Sequence, residues 1–258
     1  MEQEQLLSMK PDYWRQMDFF NPNSINNYNI LVVGAGAIGS YLTFSLQKMG
    51  VKNITVIDHD KIEAHNLPNQ LFIPPTEETL KVFQLSKTLK LLNPDEQDIK
   101  VFPISWDVFR QINNVRFDVI FVCADNMEVR SEIFEYCNLY SLTFIIDGRV
   151  GGLSGNVFSC SMNVEFHKDY YRKSLWDNKD IPPLPCTGTI TNYVAMGIAA
   201  EMAARFVAWT KSELKVIHTI HDYAIGQSYI MQVDNLFSAN PDICNYADEQ
   251  TLLNRKME

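Results

Sequence analysis

Apolar residues in this chain gather in short runs, separated by stretches of helical periodicity. Residues 29–33 (Asn29-Ile30-Leu31-Val32-Val33) form a β-branched run whose two faces are both apolar, which predicts a buried parallel strand. The run enters a glycine-rich turn. Residues 40–49 then offer Leu42, Phe44, Leu46 and Met49 for helical packing, with Gly50 as a left-handed stop. A second apolar run at 54–57 ends at Asp58, and strand, helix, strand within about thirty residues is a βαβ unit. The alternation continues: a helix over 77–92, an extended run at 99–104, a strand at 119–122, a helix over 126–140 and a strand over 142–146 ending at Asp147. Such alternation predicts an α/β fold, a Rossmann-like, doubly wound, mostly parallel sheet with helices on both faces.

The pattern changes after that. Residues 163–185 are polar and aromatic, lack periodicity and end in Ile181-Pro182-Pro183-Leu184-Pro185, the signature of a long crossing loop. An apolar helix follows over 193–209; it carries Glu201 and Arg205, and it reads as a core helix, short of a membrane span. Runs at 216–220 and 228–233 are strand-like, and the tail from residue 242 is polar. The expected organisation is one domain over 1–258. It comprises an N-terminal helical arm (1–28), a nucleotide-binding core (29–160), a crossover loop (161–190), a C-terminal helix and strands (191–235), and a tail (236–258).

Composition narrows the partners. At 258 residues the chain can bury a core without covalent staples. A formal net charge of −9 argues against a nucleic-acid partner, because phosphate contacts need a basic surface. The charged N-terminus lacks a signal peptide's apolar core, and no membrane association is expected. Cysteines fall at 123, 137, 160, 186 and 244 without a C-x-x-C pair, so no zinc is expected. An odd count without an export signal suggests reduced thiols and a cytoplasmic location.

The turn Gly34-Ala35-Gly36-Ala37-Ile38-Gly39 lets backbone approach a phosphate and presents amides at a helix N-terminus. Asp58, at the tip of the second strand, can accept both ribose hydroxyls. On this motif alone an NAD or FAD protein is at least an equal candidate. Behind Asp58 come Asp60, Asn66, Asn69 and Gln70, then Lys81 at the next helix, then Cys123-Ala124-Asp125-Asn126-Met127-Glu128-Val129-Arg130 past a strand end. A lysine neutralises phosphate charge, a carboxylate holds Mg²⁺, and amides orient a triphosphate, so this set suits ATP better than a hydride carrier.

With these motifs in this order, the chain resembles the ubiquitin-activating, ThiF/MoeB-type adenylyltransferases from about residue 13 to about residue 207. The resemblance implies their adenylation fold, with Gly36 and Ala37 facing the nucleotide beside Gly34 and Ile38, and Asp58 on the ribose. It also implies Asn66 and Gln70 near the phosphates, Lys81 on phosphate, and Asp125, next to Asn126, either holding Mg²⁺ or stabilising the developing charge. Arg15-Gln16 is similar to the family's N-terminal Arg-Gln, whose arginine reaches the partner subunit's nucleotide, which implies a homodimer. Two departures stand out: Asn69 occupies a position where the family usually has arginine, and the paired C-x-x-C ligands of many relatives are missing.

Bland readings accompany the functional ones. Lys81 could be a solvated surface lysine, and Asp125 a helix N-cap. Cys186 follows the Pro-rich segment near a helix start, where a dipole favours thiolate; it is either the family's thioester cysteine or a small residue filling space. Cys123 and Cys137 read as core. His218 and His221 lie in a strand-like run with no other ligand-type neighbours and do not read as metal ligands. Arg149, between glycines just past the predicted strand end, either binds a substrate carboxylate or pairs with an acid.

The reading these features support is ATP-dependent adenylation of a C-terminal carboxylate, on a ubiquitin-like or sulfur-carrier protein or a peptide, with Cys186 as a possible acyl acceptor. The rivals are an NAD-dependent oxidoreductase, a catalytically impaired regulatory subunit, and an enzyme adenylating a small-molecule or tRNA-linked carboxylate.

Overall fold

The computed structural model describes residues 11–93, 99–139, 143–175 and 190–233. Among these, eight strands form one sheet: β1 (Ile30–Val33), β2 (Ile54–Ile57), β3 (Lys100–Phe102), β4 (Val119–Val122), β5 (Phe144–Gly151), β6 (Ser154–Ser161), β7 (Val216–Asp222) and β8 (Gln227–Val233). Six α-helices accompany them: α1 (Ala37–Lys48), α2 (Lys81–Leu92), α3 (Trp106–Ile112), α4 (Met127–Asn138), α5 (Glu165–Lys173) and α6 (Asn192–Thr210). The sheet order is β3-β2-β1-β4-β5-β6-β7-β8. The pairings from β3 to β5 are parallel, and those from β5 to β8 antiparallel.

Strand alternation sorts the core into two layers. Ile30, Val32, Val119, Phe121, Phe144 and Ile146 face α1, α2 and α6 through Leu42, Leu46, Val82, Leu85, Met202 and Phe206. Leu31, Val33, Ile120, Val122 and Ile145 face the other way, onto Trp106, Phe109, Ile133, Phe134 and Tyr171 of α3, α4 and α5. Burial on both faces is why these strands read as unbroken apolar runs. No helix among the described residues is long and apolar enough to cross a membrane.

Three expectations need correction. The helix expected over 77–92 begins at Lys81, because Lys61 and Leu80 pair in an isolated bridge that keeps the preceding residues extended. The strand expected to end at Asp147 continues to Gly151, where it pairs with β6, a strand the sequence reading did not contain. Arg149 therefore lies inside a strand, not beyond its end. The segment 163–185 was expected to be irregular, yet 165–173 form α5, whose buried residues are His167 and Tyr171. A helix whose buried stripe is histidine and tyrosine gives little hydrophobic signal.

The antiparallel half is tied by polar contacts under aromatic cover. His218 of β7 stacks on Phe158 with ring centroids 3.8 Å apart. Its Nδ1 lies 2.9 Å from the Tyr170 hydroxyl and its Nε2 3.0 Å from Asn156 Oδ1. Burial, then the nearby Arg149 and Arg205 charges, lower its pKa to about 4. The unfolded chain, with a histidine pKa of about 6.5, takes up a proton that the folded chain refuses in this window. Stability is therefore full above pH 6.5 and declines as pH falls toward 4. Between pH 7 and 5, urea unfolding is expected to show wild type losing about 1–2 kcal/mol more than His218→Gln. Parallel pH slopes for the two proteins would contradict this.

Candidate functional site

The sheet order reverses direction between β1 and β4, since β1 leads toward β2 on one side and β4 toward β5 on the other. Ligand crevices in open α/β sheets form at such a switch, outside the strand C-termini. The chain's polar motifs converge there. Val33 ends β1 and Gly34 follows with φ +99°, a conformation suited to glycine. A Cβ on Gly34 would lie 2.7 Å from the Cys123 carbonyl oxygen, so the turns after β1 and β4 are pressed together. Gly39 completes the turn: its Cβ would lie 1.9 Å from the Gly34 oxygen. Gly36 precedes α1 as its cap residue and offers no side chain to the helix's first amides, which include those of Ala37 and Ile38.

Asp58 closes the other wall. Its Oδ2 accepts from the Ala35 amide at 2.7 Å and its Oδ1 from the Asp60 amide at 2.8 Å. Each carboxylate oxygen keeps lone-pair capacity for a hydroxyl donor, as ribose recognition requires. Burial pushes the Asp58 carboxyl up from its ordinary value, while those two amides and the Lys81 charge pull it down. Lys81, at the first position of α2, places Nζ 2.7 Å from Asp60 Oδ2. Its side chain is only 11% exposed, which rules out the solvated-surface reading. His59 Nε2 stands 3.6 Å from Asp60, so Asp58, His59 and Asp60 bring ligand-type atoms together at this mouth.

The loop after Asp60 folds back over α1. Asn66, which is buried, accepts from the Glu63 amide at 2.9 Å and so completes the capping box of a short 3-10 turn whose cap is Glu63; its backbone carbonyl receives the amides of Asn69 and Gln70. The Leu71 amide donates to Ser40 Oγ of α1 at 3.0 Å, which anchors the segment across the glycine turn. Gln70 Nε2 is the nearest atom to a Cβ built on Gly36, at 4.0 Å. Gln70 Oε1 is buried and accepts no hydrogen bond from the described residues. An orphaned buried acceptor beside an open glycine is a polar cradle awaiting a donor-bearing ligand. The acceptor suits a hydroxyl or amine, and the uncapped amides and Lys81 suit phosphate, so the residues fit a nucleotide.

Asp125 sits just past β4, two residues beyond the Cys123 that Gly34 touches, and it is exposed. The helix-cap reading fails for it, because Asn126 is the cap of α4 and accepts from the Glu128 amide at 2.8 Å. Among the described residues, the Asp125 carboxylate makes no hydrogen bond or ion pair, leaving its oxygens open to a hard cation such as Mg²⁺.

Two expected residues lie elsewhere. Arg149 is buried, with Nε 2.7 Å from Asp147 and its terminal nitrogens on the Ser174 carbonyl (2.9 Å) and hydroxyl (3.0 Å). Its guanidinium also stacks over Phe158, 4.3 Å from the ring centroid. Of the two readings offered for it, pairing with an acid is the arrangement present. Arg15, exposed in the 3-10 turn Trp14–Gln16, belongs to an arm docked at the far end of α1. There Gln16 Nε2 donates to the Met49 carbonyl at 2.7 Å, and Tyr13 covers Gly50. Twelve residues of α1, about 18 Å, separate that end from the glycine turn. Cys186 lies outside the described residues. Cys123, Cys137 and Cys160 are free thiols whose burial raises their pKa, Cys123 to about 12, so none is a ready nucleophile. Arg130, to which the sequence alone assigns no role, reaches the Ala124 carbonyl beside Asp125 with its guanidinium. A cation four residues behind a cap asparagine was the only clue to it.

Known proteins resemble this chain in sequence or in fold. The chain is 31% identical over 140 residues to ubiquitin-like modifier-activating enzyme 5 of Culex quinquefasciatus, covering 48% of this chain and 34% of that protein. It is 32% identical over 126 residues to its namesake from Caenorhabditis briggsae, covering 44% and 29%. The matched stretch thus spans about a third of these relatives' length. In fold it is similar to E. coli MccB crystallised with ATP, with TM-score 0.62 at 17% identity over 83% of this chain and 65% of that one. For E. coli MccB with MccA the TM-score is 0.65 at 16% identity, over 88% and 72%. The model of the ThiF family matches residues 13–243. A match over that much of its length makes this chain a member of the ThiF family.

Proposed function

We propose that the protein binds Mg-ATP in the β1–β4 crevice and uses it to adenylate a C-terminal carboxylate, releasing pyrophosphate and leaving an acyl-adenylate. The carrying observation is the convergence, on one crevice, of uncapped α1 amides, the orphaned Gln70 oxygen, Asp58, Lys81 and the open Asp125 carboxylate. Family membership and the likeness to MccB, a fold crystallised with ATP and with MccA, support the same reading.

Each residue has a defined task. Asp58 accepts the ribose hydroxyls, and its burial keeps competing water away. The α1 amides and Lys81 hold the phosphates, with Asp60 keeping the lysine at the mouth when no phosphate is present. Asn66 fixes the loop that carries Asn69 and Gln70. Asp125 holds Mg²⁺, which when bound neutralises charge on the phosphates. The carboxylate attacks the α-phosphorus, the bond to the bridging oxygen breaks, and pyrophosphate carries that electron pair away. Positioning and charge do this work, with little covalent demand on side chains.

Finer assignments follow as proposals. The substrate is the C-terminus of a ubiquitin-like or sulfur-carrier protein, or of a peptide. Arg15, on an arm docked at the end of α1 away from its own glycine turn, serves the nucleotide of a second copy in a homodimer. With an uncharged Asn69 in the loop over α1, Lys81 and that partner arginine supply the phosphate charge. Cys186 then accepts the acyl group as a thioester, its sulfur replacing AMP.

ATP–pyrophosphate exchange with a panel of glycine-terminated carrier proteins and short peptides tests the core reading. Exchange with at least one is expected, and no ATP binding by the wild type would sink it. Lys81→Ala is expected to weaken ATP binding about ten- to a hundredfold, the worth of one charge-assisted contact. A nicotinamide-binding enzyme would be indifferent to that change. Cys186→Ala is expected to keep exchange and lose transfer; intact transfer removes the thioester step.

A further inference from the structure

Asp147, in β5, is the only buried acid among the described residues, with no exposed surface. Its two oxygens serve different neighbours. Oδ2 accepts from Arg149 Nε at 2.7 Å and from the Tyr171 hydroxyl at 2.9 Å. Oδ1 is paired with the guanidinium of Arg130, a residue of α4 that is only 5% exposed. Arg130 does not stop there. One of its terminal nitrogens donates to the Ala124 carbonyl and, at 3.4 Å, to that of Gly148.

Ala124 forms the peptide that carries Asp125. The loop 123–126 is consequently held at three points: the Cys123 amide on the Val33 carbonyl at 2.8 Å, the Ala124 carbonyl under Arg130, and Asn126 on the head of α4. Asp125, exposed just past the end of β4, follows directly on that fixed backbone. Burial and the Arg149 charge together bring the Arg130 pKa down to about 10, so the guanidinium stays charged at neutral pH.

We infer that Arg130, braced by Asp147, is a positioning residue that aims Asp125 at the metal-bound phosphates. The inference rests on the nucleotide reading above, and it adds a device that couples the β4 loop to the buried end of β5. It predicts that losing Arg130 harms the magnesium-dependent part of ATP binding and spares the rest, which depends on Asp58, Gln70 and the α1 amides.

Calorimetric titration of the 258-residue chain with ATP, once with Mg²⁺ and once with EDTA, separates these parts. The readout is the ratio of the two Kd values in wild type, Asp125→Asn, Arg130→Met and the double variant. Arg130→Met is expected to cut the magnesium enhancement by roughly ten- to a hundredfold, the scale of a misplacement by about an ångström. Its Kd in EDTA should stay near wild type, and the double variant should lose no more than Asp125→Asn alone. Arg130→Lys keeps a cation against Asp147 but cannot span both Asp147 and the Ala124 carbonyl; it is expected to fold and still lose the enhancement. A folded Arg130 variant with the wild-type ratio overturns the proposal, as does equal weakening with and without Mg²⁺. Wild type lacking any magnesium enhancement, or Asp125→Asn retaining it, overturns the role of Asp125 itself and this proposal with it.

Discussion

Gly39→Ala is expected to cost the protein both stability and nucleotide binding, whereas Gly36→Ala should cost binding alone. At Gly39 the new methyl would stand 1.9 Å from the Gly34 oxygen and 2.9 Å from its carbonyl carbon. Both are backbone atoms, so no flexible side chain can give way to the methyl. The start of α1 must move away from β1, at a cost of about 3 kcal/mol or more, the upper range for overpacking. At Gly36 the nearest atom to an added Cβ is the flexible Gln70 amide, 4.0 Å away. That methyl occupies only the cradle, so urea unfolding should match wild type within about 0.5 kcal/mol while ATP affinity falls. A stable, ATP-binding Gly39→Ala chain would show that the turn is looser than its contacts imply. Unchanged ATP affinity in Gly36→Ala would mean that phosphate does not approach there.

This contrast also explains what could be read from the sequence. Residues 30–33 and 119–122 are apolar at every position, and 54–57 at every position but Thr55, because helices cover both faces; the sequence marked those strands, whereas the switch point emerges only from the strand order. The glycine turn, Asp58, Lys81 and Asp125 stand at strand ends or helix starts, where the pattern points to them, whereas Asn66 and Gln70 lie in a loop and are named only through the family resemblance. The antiparallel half was not. In β6, Ser154-Gly155-Asn156 reads as a turn, yet Gly155 is extended and small because Ile198 of α6 lies where its Cβ would point, 2.4 Å away. In β5, Asp147 and Arg149 look like loop residues when their charges are counted separately. They are buried together, so the polar pattern conceals an internal ion pair. Arg130 was hidden for the same reason: its partners, Asp147 and the Ala124 carbonyl, are joined to it only by tertiary structure.

Asp125→Ala is expected to lower ATP–pyrophosphate exchange by about two to three orders of magnitude, the usual effect of deleting a group that stabilises developing charge. Stability should stay within about 0.5 kcal/mol of wild type, because the side chain is exposed and Asn126 caps α4 in its place. The pairing of those two results carries the meaning. An aspartate kept at a strand tip for structure would lose stability along with activity, as a helix cap does. Loss of exchange at constant stability instead requires a carboxylate that acts on something outside the protein. The comparison also bears on the regulatory-subunit reading, which Asn69 invites. A subunit without its own chemistry would show no exchange in wild type with any carrier or peptide, and Asp125→Ala would change nothing. If wild type supports exchange and Asp125→Ala does so at an undiminished rate, the metal-holding role fails while the nucleotide site stands. Should exchange fall only modestly, the charge on the phosphates must be met chiefly by Lys81 and by Arg15 of a second copy, and Arg15→Ala would then show the larger loss.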